Sequence, residues 1–477
     1  MLLHLLRQTK GFVSMLYRAV TRLSLLLSCT LIAGVTNADE QALDWKAGVS
    51  TVNITPNEPL LMSGYASREK PATGLLTDLW VKVLVLEDAK ENRAVLITSD
   101  LIGVNREFSQ QVCQELRARY GLDRSQIAIC TSHTHTGPVL GKVLLPMYLD
   151  VADDEMRRKI ANYTAGVQSK IVNAVHYAIN QLEPCSLSWG NGTTTFATNR
   201  RENRPEQEAA SRRTNGTLKG PTDHDVPVLV VRDARNQLRA VVFGYACHAT
   251  TLDTNEWSGD YPGFAQIELE RLYPGATALF WAGCGADQNP IPRRTVTLAK
   301  HYGRRLANAV DAVIMTQQMA PIPSQLETTY QEIDLAFAEL PTPEQLQKNA
   351  TSDHKYEAAR AKMLLAQLAK GQPVPSTYPY PIGTWILGDD IQFLFLGGEV
   401  VVDFALRFKA SHRGHRTWVA GYANDVMGYI PSLRVLREGG YEGGGAMVYY
   451  GLPSPWSPTV EKLIADEVHR QLQADRN

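Results

Sequence analysis

Two histidines separated by one residue follow a short apolar strand in the first third of the chain. The strand, residues 126–130, runs into CTSHTHTGP, which places His133 and His135 two positions apart. In an extended segment, residues i and i+2 project to the same face, so both imidazoles reach one point in space. The same pattern is typical of a polar strand end with two solvated histidines, and a His-x-His pair alone does not decide between these interpretations.

The other apolar strands share one feature, since each ends at a polar or ionisable group. The six strand ends carry Asp100, His133 with His135, His248, Asp287, Glu399 and Asp425. In open α/β sheets, ligands bind beyond the carboxyl ends of the strands, where loops present functional groups from a rigid frame. The pattern therefore predicts a mixed α/β, sheet-based domain with one shared site at the carboxyl ends of its strands.

Imidazoles and a carboxylate at these ends are the ligands that zinc favours. His133 or His135, His248 and Glu399 supply enough donors for a tetrahedral ion with one position left to water. Zinc lowers the pKa of such a water towards neutrality, which suits hydrolysis of an amide or ester, and the remaining histidine is placed for general acid–base work. The alternative is that His248 is a buried core histidine and that Glu399 caps the following helix.

Apolar periodicity predicts the helices that frame these strands. Residues 106–120 and 160–182 carry apolar stripes at helical spacing, and Gly121 is a C-cap signal. A polar helical stretch at 342–370 opens on Thr342-Pro343 with Gln345 and is bracketed by proline-rich segments. This stretch is interpreted as a lid or surface excursion without candidate chemistry.

Composition limits the partners. The 477 residues carry 48 Lys+Arg against 49 Asp+Glu, so the charge balance favours neither nucleic acid nor an anionic membrane surface as a partner. Five cysteines follow residue 38, an odd number without any CxxC, which favours neither a disulfide framework nor a cysteine zinc knuckle.

Residues 1–38 have the composition of a secretory signal peptide. Arg7, Lys10, Arg18 and Arg22 precede the apolar run LSLLLSCTLIAGV, and small residues before position 39 suit cleavage after Ala38. The prediction is an exported protein whose residues 39–477 form the catalytic domain, with no integral membrane segment after cleavage. Retention of the leader as an anchor is the alternative.

Several segments together resemble one known family. They are AGVSTVNITP from Ala47, MSGYA at 62–66, HTHTGP at 133–138, NRR at 199–201, ACHATTL at 246–252, GYIPS at 428–432 and GGYEGGGAMVYYG at 439–451. From about Ala47 to about Ile464, the chain resembles the catalytic domain of the neutral/alkaline non-lysosomal ceramidases. These are zinc amidases that cleave the N-acyl bond of ceramide to sphingosine and a fatty acid.

The resemblance implies a role for individual residues. One zinc ion per chain would be held by His133, His248, Glu399 and Tyr429. His135 would be the general base that takes a proton from the metal-bound water and returns it to the leaving amine. The donors to the developing oxyanion would be Tyr441 and Arg200. The implied partner is a lipid or small-molecule N-acyl substrate, and the oligomeric state stays open.

The chain departs from the family pattern in three places. Asp287 of GCGADQNP stands where the family has a serine, which makes a serine nucleophile untenable here. No C-terminal β-sandwich domain is expected, and NRRENRP carries cations where the family has NRSP. Three alternatives therefore stay open: an amidohydrolase barrel, a hydrolase of a non-sphingolipid amide or ester, and an inactive secreted relative that binds lipid or glycan.

Overall fold

The computed structural model describes residues 43–316 and 318–474. The leader predicted at residues 1–38 lies outside the described residues, so its cleavage stays a prediction. The described strands, in chain order, are β1 Trp45–Asn53, β2 Gly74–Leu75, β3 Trp80–Glu87, β4 Arg93–Ser99, β5 Ile127–Thr131, β6 Glu183–Thr193, β7 Ala197–Asn199, β8 Asp225–Asp233, β9 Leu238–Tyr245, β10 Glu256–Trp257, β11 Thr277–Ala282, β12 Gln288–Pro290, β13 Ala320–Pro321, β14 Leu326–Ala336, β15 Thr377–Leu387, β16 Ile391–Leu396, β17 Glu399–Val400, β18 Thr417–Ala420 and β19 Tyr429–Ile430.

Helices alternate with these strands along the described chain. They are α1 Arg106–Tyr120, α2 Asp154–Asn180, α3 Ala209–Thr214, α4 Asp260–Leu272, α5 Val296–Met315, α6 Pro343–Asn349, α7 Lys355–Ala369, α8 Val402–Ser411, α9 Leu433–Glu438, α10 Met447–Tyr450 and α11 Val460–Ala474. The predicted helix at 106–120 is confirmed, and Gly121 follows it in the left-handed conformation at φ 68°. The second predicted helix begins earlier than expected because Asp153 caps its N-terminus by accepting from the Met156 N–H.

Two open sheets organise the strands. One has nine strands in the order β11-β9-β8-β6-β1-β3-β4-β5, with β13 also paired to β6, and the other has four in the order β14-β15-β16-β18. Both are mixed, since β4–β5, β9–β11 and β16–β18 are parallel and the remaining pairs in these two sheets are antiparallel. The mixed α/β fold is confirmed. Strands β5 and β11 are the two ends of the larger sheet and do not pair with each other, so the amidohydrolase barrel does not describe this chain.

The packing gives four layers. Along β3, Val83 and Val85 face the helices, whereas Leu84 and Leu86 face the second sheet, as the two-residue period of a strand requires. Large aromatic side chains fill the space between the sheets: Trp45, Trp281, Trp385, Phe393 and Trp418. Each fully buried side chain of this size contributes about 1.5–3 kcal/mol relative to exposure, so this layer holds the two sheets together.

The outer faces of both sheets are covered by helices. Helices α1 and α2 cover one end of the larger sheet and α4 and α5 the other, while α8 and α11 cover the four-stranded sheet. The excursion at 342–370 forms α6 and α7, and the Tyr356 hydroxyl donates to the carbonyl of Ala66. No helix among the described residues combines the length and apolar character that a membrane crossing requires.

Candidate active site

The backbone bends where the two histidines of HTHTGP leave strand β5. The strand ends at Thr131, and His133 has a φ of 56°, in the left-handed region. The expectation of an extended segment is therefore wrong. The two rings converge all the same, since the Nε2 atoms of His133 and His135 lie 3.2 Å apart.

Backbone carbonyls fix the orientation of two of the histidines. His133 Nδ1 lies 2.6 Å from the carbonyl oxygen of Ile102, and His248 Nδ1 lies 2.7 Å from that of Gly285. A carbonyl oxygen only accepts, so both Nδ1 atoms carry a proton and donate. In the neutral tautomer each Nε2 then presents a lone pair, which is the arrangement of a histidine prepared to bind a metal.

Glu399 stands between these two Nε2 atoms. Its Oε2 lies 3.2 Å from His133 Nε2 and 3.1 Å from His248 Nε2, while its Oε1 accepts from the Tyr450 hydroxyl. The preceding Gly398 has a φ of 76°, and a Cβ there would lie 2.7 Å from the carbonyl oxygen of Gly428. Only glycine fits this close approach, which explains the glycine directly before Glu399.

Electrostatics set the protonation of these groups. Burial raises the pKa of the Glu399 carboxyl, but its contacts with His133 and His248 outweigh burial and hold that pKa well below its usual range. Burial, reinforced by Arg200, lowers the pKa of His248 to about 4. Burial and the neighbouring histidines hold the pKa of His135 well below its usual value. At neutral pH the site therefore holds the Glu399 carboxylate together with the neutral imidazoles of His135 and His248.

The donors fit a cation. Glu399 Oε2 is buried and accepts no hydrogen bond from the residues described, although two ring nitrogens with lone pairs face it. An unsatisfied buried carboxylate oxygen is costly, and a metal ion between these three atoms removes the cost. Nitrogen and oxygen donors of this kind suit zinc. A second grouping is also possible, because ligand atoms of His133, His135 and His248 all lie within 4.8 Å of one another.

Tyr429 and Arg200 extend the cluster on one side. Strands β17 and β19 are parallel and pair Glu399 with Tyr429, so the tyrosine lies beside the carboxylate. The Tyr429 hydroxyl lies 3.4 Å from His248 Nε2 and accepts from Arg200 Nη2 at 3.0 Å. Tyr441 lies at the exposed side, with 40% of its surface accessible and its ring centroid 5.2 Å from that of Tyr429. The seven candidate catalytic and metal-binding residues therefore lie in one cluster: His133, His135, Arg200, His248, Glu399, Tyr429 and Tyr441.

Sequence reasoning missed several contributors. Tyr450 donates to Glu399, and Glu442 holds the Nε of Arg200 at 2.8 Å. Both residues lie in the GGYEGGGAMVYYG segment, in which the family resemblance assigns a role to Tyr441 alone. The carbonyls of Ile102 and Gly285 carry no side-chain signal, so no reading of residue types finds them.

Three of the predicted strand-end groups serve the fold rather than the cluster. Asp100 accepts from the Trp80 N–H, and Asp287 accepts from Asn199 and from the N–H of Val402, the first residue of α8. It is therefore Asp287, rather than Glu399, that binds the N-terminus of this helix. Asp425 accepts from the Tyr378 hydroxyl at 2.7 Å. The strand ends that carry the histidines and Glu399 meet at one site, as predicted, whereas the three aspartates bind other partners.

Asp425 gives a pH-dependent contribution to stability. Burial raises the pKa of its carboxyl to about 7. A group whose pKa is higher in the folded than in the unfolded chain contributes stability that is fully present at low pH and is lost as the pH rises through the folded pKa. The groups facing it are Tyr378 and, further away, Arg106 and Glu332.

The Asp425→Asn variant is expected to gain stability relative to the parent protein as the pH rises. The difference in unfolding free energy should change by roughly 3 kcal/mol between about pH 4.5 and pH 8, because Asn does not ionise. Urea unfolding of both proteins across this range measures it. The exposed Asp154→Asn variant is the control, and a difference that does not vary with pH would contradict the prediction.

Comparison with known proteins agrees with this architecture. The model of the family described as neutral/alkaline non-lysosomal ceramidase, N-terminal, matches residues 45–283, half of the chain. A neutral ceramidase of Drosophila pseudoobscura pseudoobscura is 24% identical over 52% of this chain and 36% of its own length. Neutral ceramidase 1 of Arabidopsis thaliana is 24% identical over 54% and 33%, respectively. The chain thus spans about a third of the length of these relatives.

Solved structures show the same fold. A neutral ceramidase from Pseudomonas aeruginosa superposes with a TM-score of 0.67 at 19% identity, over 90% of this chain and 74% of that one. A ceramidase complexed with C2 gives the same TM-score over 88% and 73%. The sequence family, the mixed two-sheet fold and the histidine cluster at its strand ends agree with one another. The chain therefore belongs to the neutral/alkaline non-lysosomal ceramidase family.

Proposed function

We propose that this protein is a zinc-dependent amidase that cleaves an N-acyl bond of the ceramide type. The observation that carries the proposal is the buried Glu399 Oε2, which faces the Nε2 atoms of His133 and His248 without a hydrogen-bond donor. Tyr429, beside Glu399 in the β17–β19 pair, would complete the set of residues that hold the ion. A zinc ion held there supplies Lewis acidity, which polarises an amide carbonyl and makes water a stronger acid.

His135 is the proposed general base. Its Nε2 faces the cluster, 3.2 Å from His133 Nε2, and its ring is neutral because burial lowers its pKa. A neutral ring accepts a proton from the attacking water as the carbon–oxygen bond forms. The same ring then delivers that proton to the nitrogen as the carbon–nitrogen bond breaks, so the products are a carboxylic acid and an amine.

Backbone and aromatic contacts hold this base in place. Arg68 Nη1 donates to the carbonyl of His135, and the ring of Tyr65 lies 4.9 Å from the imidazole. Gly64 packs against the ring so closely that a Cβ would lie 2.5 Å from His135 Nδ1. A base held within such tight packing keeps its direction, which is what efficient proton transfer requires.

Tyr441 is the proposed donor to the developing oxyanion. It is exposed at the edge of the cluster next to Arg200, whose guanidinium carbon lies 5.6 Å from the ring centroid. Arg200 itself uses its Nε and Nη2 on Glu442 and Tyr429. We assign Arg200 the support of Tyr429 and the positive field around the oxyanion, in place of a free donor.

The test is cleavage of a fluorescent N-acylsphingosine by the purified protein, as isolated, after chelation and after zinc is restored. A matched N-acylethanolamine with the same acyl chain separates a sphingoid requirement from a general amidase. Release of sphingosine that is lost on chelation and restored by zinc supports the proposal. Cleavage of the ethanolamide alone would support a zinc-dependent amidase but contradict the ceramide-type substrate. A zinc-loaded protein that cleaves neither compound would contradict the whole proposal.

We also propose that the protein is exported. The support is the cationic and apolar pattern of residues 1–38. The N-terminal residue of the mature protein, read by Edman degradation after expression of the full chain, tests this proposal. Residue 39 as the new terminus is expected, and an intact residue 1 in the cytoplasmic fraction would contradict it.

A further inference from the structure

Glu442 is a buried carboxylate held between two guanidinium groups. Only 1% of its side chain is exposed, its Oε1 accepts from Arg200 Nε at 2.8 Å, and its Oε2 accepts from Arg201 Nη1 at 2.7 Å. Both oxygens are therefore used by charged donors.

The pairing with Glu442 aims the rest of the Arg200 side chain. The guanidinium group is a rigid planar fork, so fixing its Nε fixes the directions of its other two nitrogens. Nη2 donates to the Tyr429 hydroxyl at 3.0 Å, and Nη1 lies 3.3 Å from Asn289 Oδ1. The direction of the donor to Tyr429 thus depends on the carboxylate on the opposite side of the guanidinium group.

Glu442 also anchors the loop that carries Tyr441. Residues 441–445 form one wide helical turn, and Gly439, Gly440 and Gly444 adopt positive φ values of 69°, 74° and 150°. Glycine-rich backbone loses much conformational entropy on ordering, and it has few side chains with which to hold itself. Arg201 binds both Glu442 and the carbonyl of Gly439, so the carboxylate closes the loop onto the NRR segment.

We infer that Glu442 is a positioning residue that fixes both Arg200 against Tyr429 and the loop bearing Tyr441. The inference rests on the proposed function. A buried ion pair contributes little net stability, because desolvation of both charges offsets most of the attraction. We assign the Glu442 carboxylate the orientation of two groups. It directs Arg200 Nη2 at Tyr429, a candidate metal ligand, and it holds the loop that presents the Tyr441 hydroxyl to the substrate.

The Glu442→Gln variant tests the inference with little change of shape. The kcat for N-acyl cleavage is expected to fall by roughly 10- to 100-fold through misplacement of the two groups. KM should change by less than about threefold, and the zinc content should not change. The matched control is Glu438→Gln, which removes a half-exposed carboxylate that binds Arg201 and Arg434 without touching Arg200.

Hydrogen exchange in the metal-free protein gives a second readout that does not depend on activity. Amides of residues 439–445 should exchange about 10-fold faster in Glu442→Gln, and the core strands should not change. Unchanged exchange and unchanged kcat would overturn the inference. A loss of zinc, or faster exchange throughout the fold, would also overturn it, because Glu442 would then be a general stabiliser.

The two proposals fail in different ways. If the parent protein cleaves no N-acyl substrate, the proposed function fails, and the exchange of the 439–445 loop still decides whether Glu442 anchors it. If the parent cleaves and Glu442→Gln matches the Glu438→Gln control in both kcat and exchange, only the inference about Glu442 fails.

Discussion

The His133→Ala and His248→Ala variants are expected to lose the bound metal and, with it, N-acyl cleavage. Each ring presents Nε2 to Glu399 Oε2 at close distance, so removal of either leaves too few donors to hold the ion. Zinc content should fall from one ion per chain to below about 0.1, and kcat/KM should fall on the order of 1000-fold. Elemental analysis and the fluorescent assay on the same samples measure both.

A suitable control is His176→Ala, which removes an exposed histidine of α2 outside the cluster. Circular dichroism should give the same spectrum for all three variants, because the cluster lies at strand ends and the cores between the layers are untouched. A His133→Ala protein that keeps its zinc and its activity would show that the ion binds at another place in the protein.

The His135→Ala variant is expected to keep its zinc and lose cleavage. A general base contributes typically about 100- to 10,000-fold, and a loss of that size in kcat is expected here. The result also separates the two groupings of donors in the cluster. If His135 is a base, zinc content matches the parent protein; if His133, His135 and His248 bind together, the variant loses zinc as His133→Ala does.

The outcome matters because geometry alone permits both groupings. His135 Nε2 is as close to His133 Nε2 as Glu399 Oε2 is, at 3.2 Å in each case. The two residues differ in how their remaining polar atoms are held. Glu399 is fixed by Tyr450, whereas the Nδ1 of His135 has no hydrogen-bond partner among the residues described. A histidine that binds a metal usually donates its other ring nitrogen to a partner, as His133 and His248 do, so the ring without that contact is better suited to the role of base.

Glu442 and Asp287 are carboxylates with different proposed roles, one next to the candidate site and one in the support of a helix. Both are buried carboxylates near Arg200, and both were visible in the sequence. Asp287 accepts from two neutral N–H donors and supports the start of α8. Glu442 accepts from two guanidinium groups, one of which reaches Tyr429. Residue type does not distinguish these roles, whereas the identity of the donors does.

Local signals in the sequence determined the elements and the central donors. Helix α1 and its glycine cap follow from an apolar period and a C-cap residue, which act within a few positions of one another. His133, His248 and Glu399 were found because each follows an apolar strand, where a chain leaves the core and presents polar groups. Tyr429 has no such signal, and only the family resemblance indicated it.

The tertiary structure alone decided which strand ends meet. Glu399 lies 266 positions from His133 and 51 from Tyr450, and contacts over such separations depend on the order of strands in both sheets. The sequence placed Asp100, Asp287 and Asp425 on equal terms with the histidines, but the packing gave them backbone and hydroxyl partners instead. The chemistry of each side chain follows from its residue type and can be read from the sequence. Which strand ends meet depends on how the four layers pack, because only packing brings distant parts of the chain to one point.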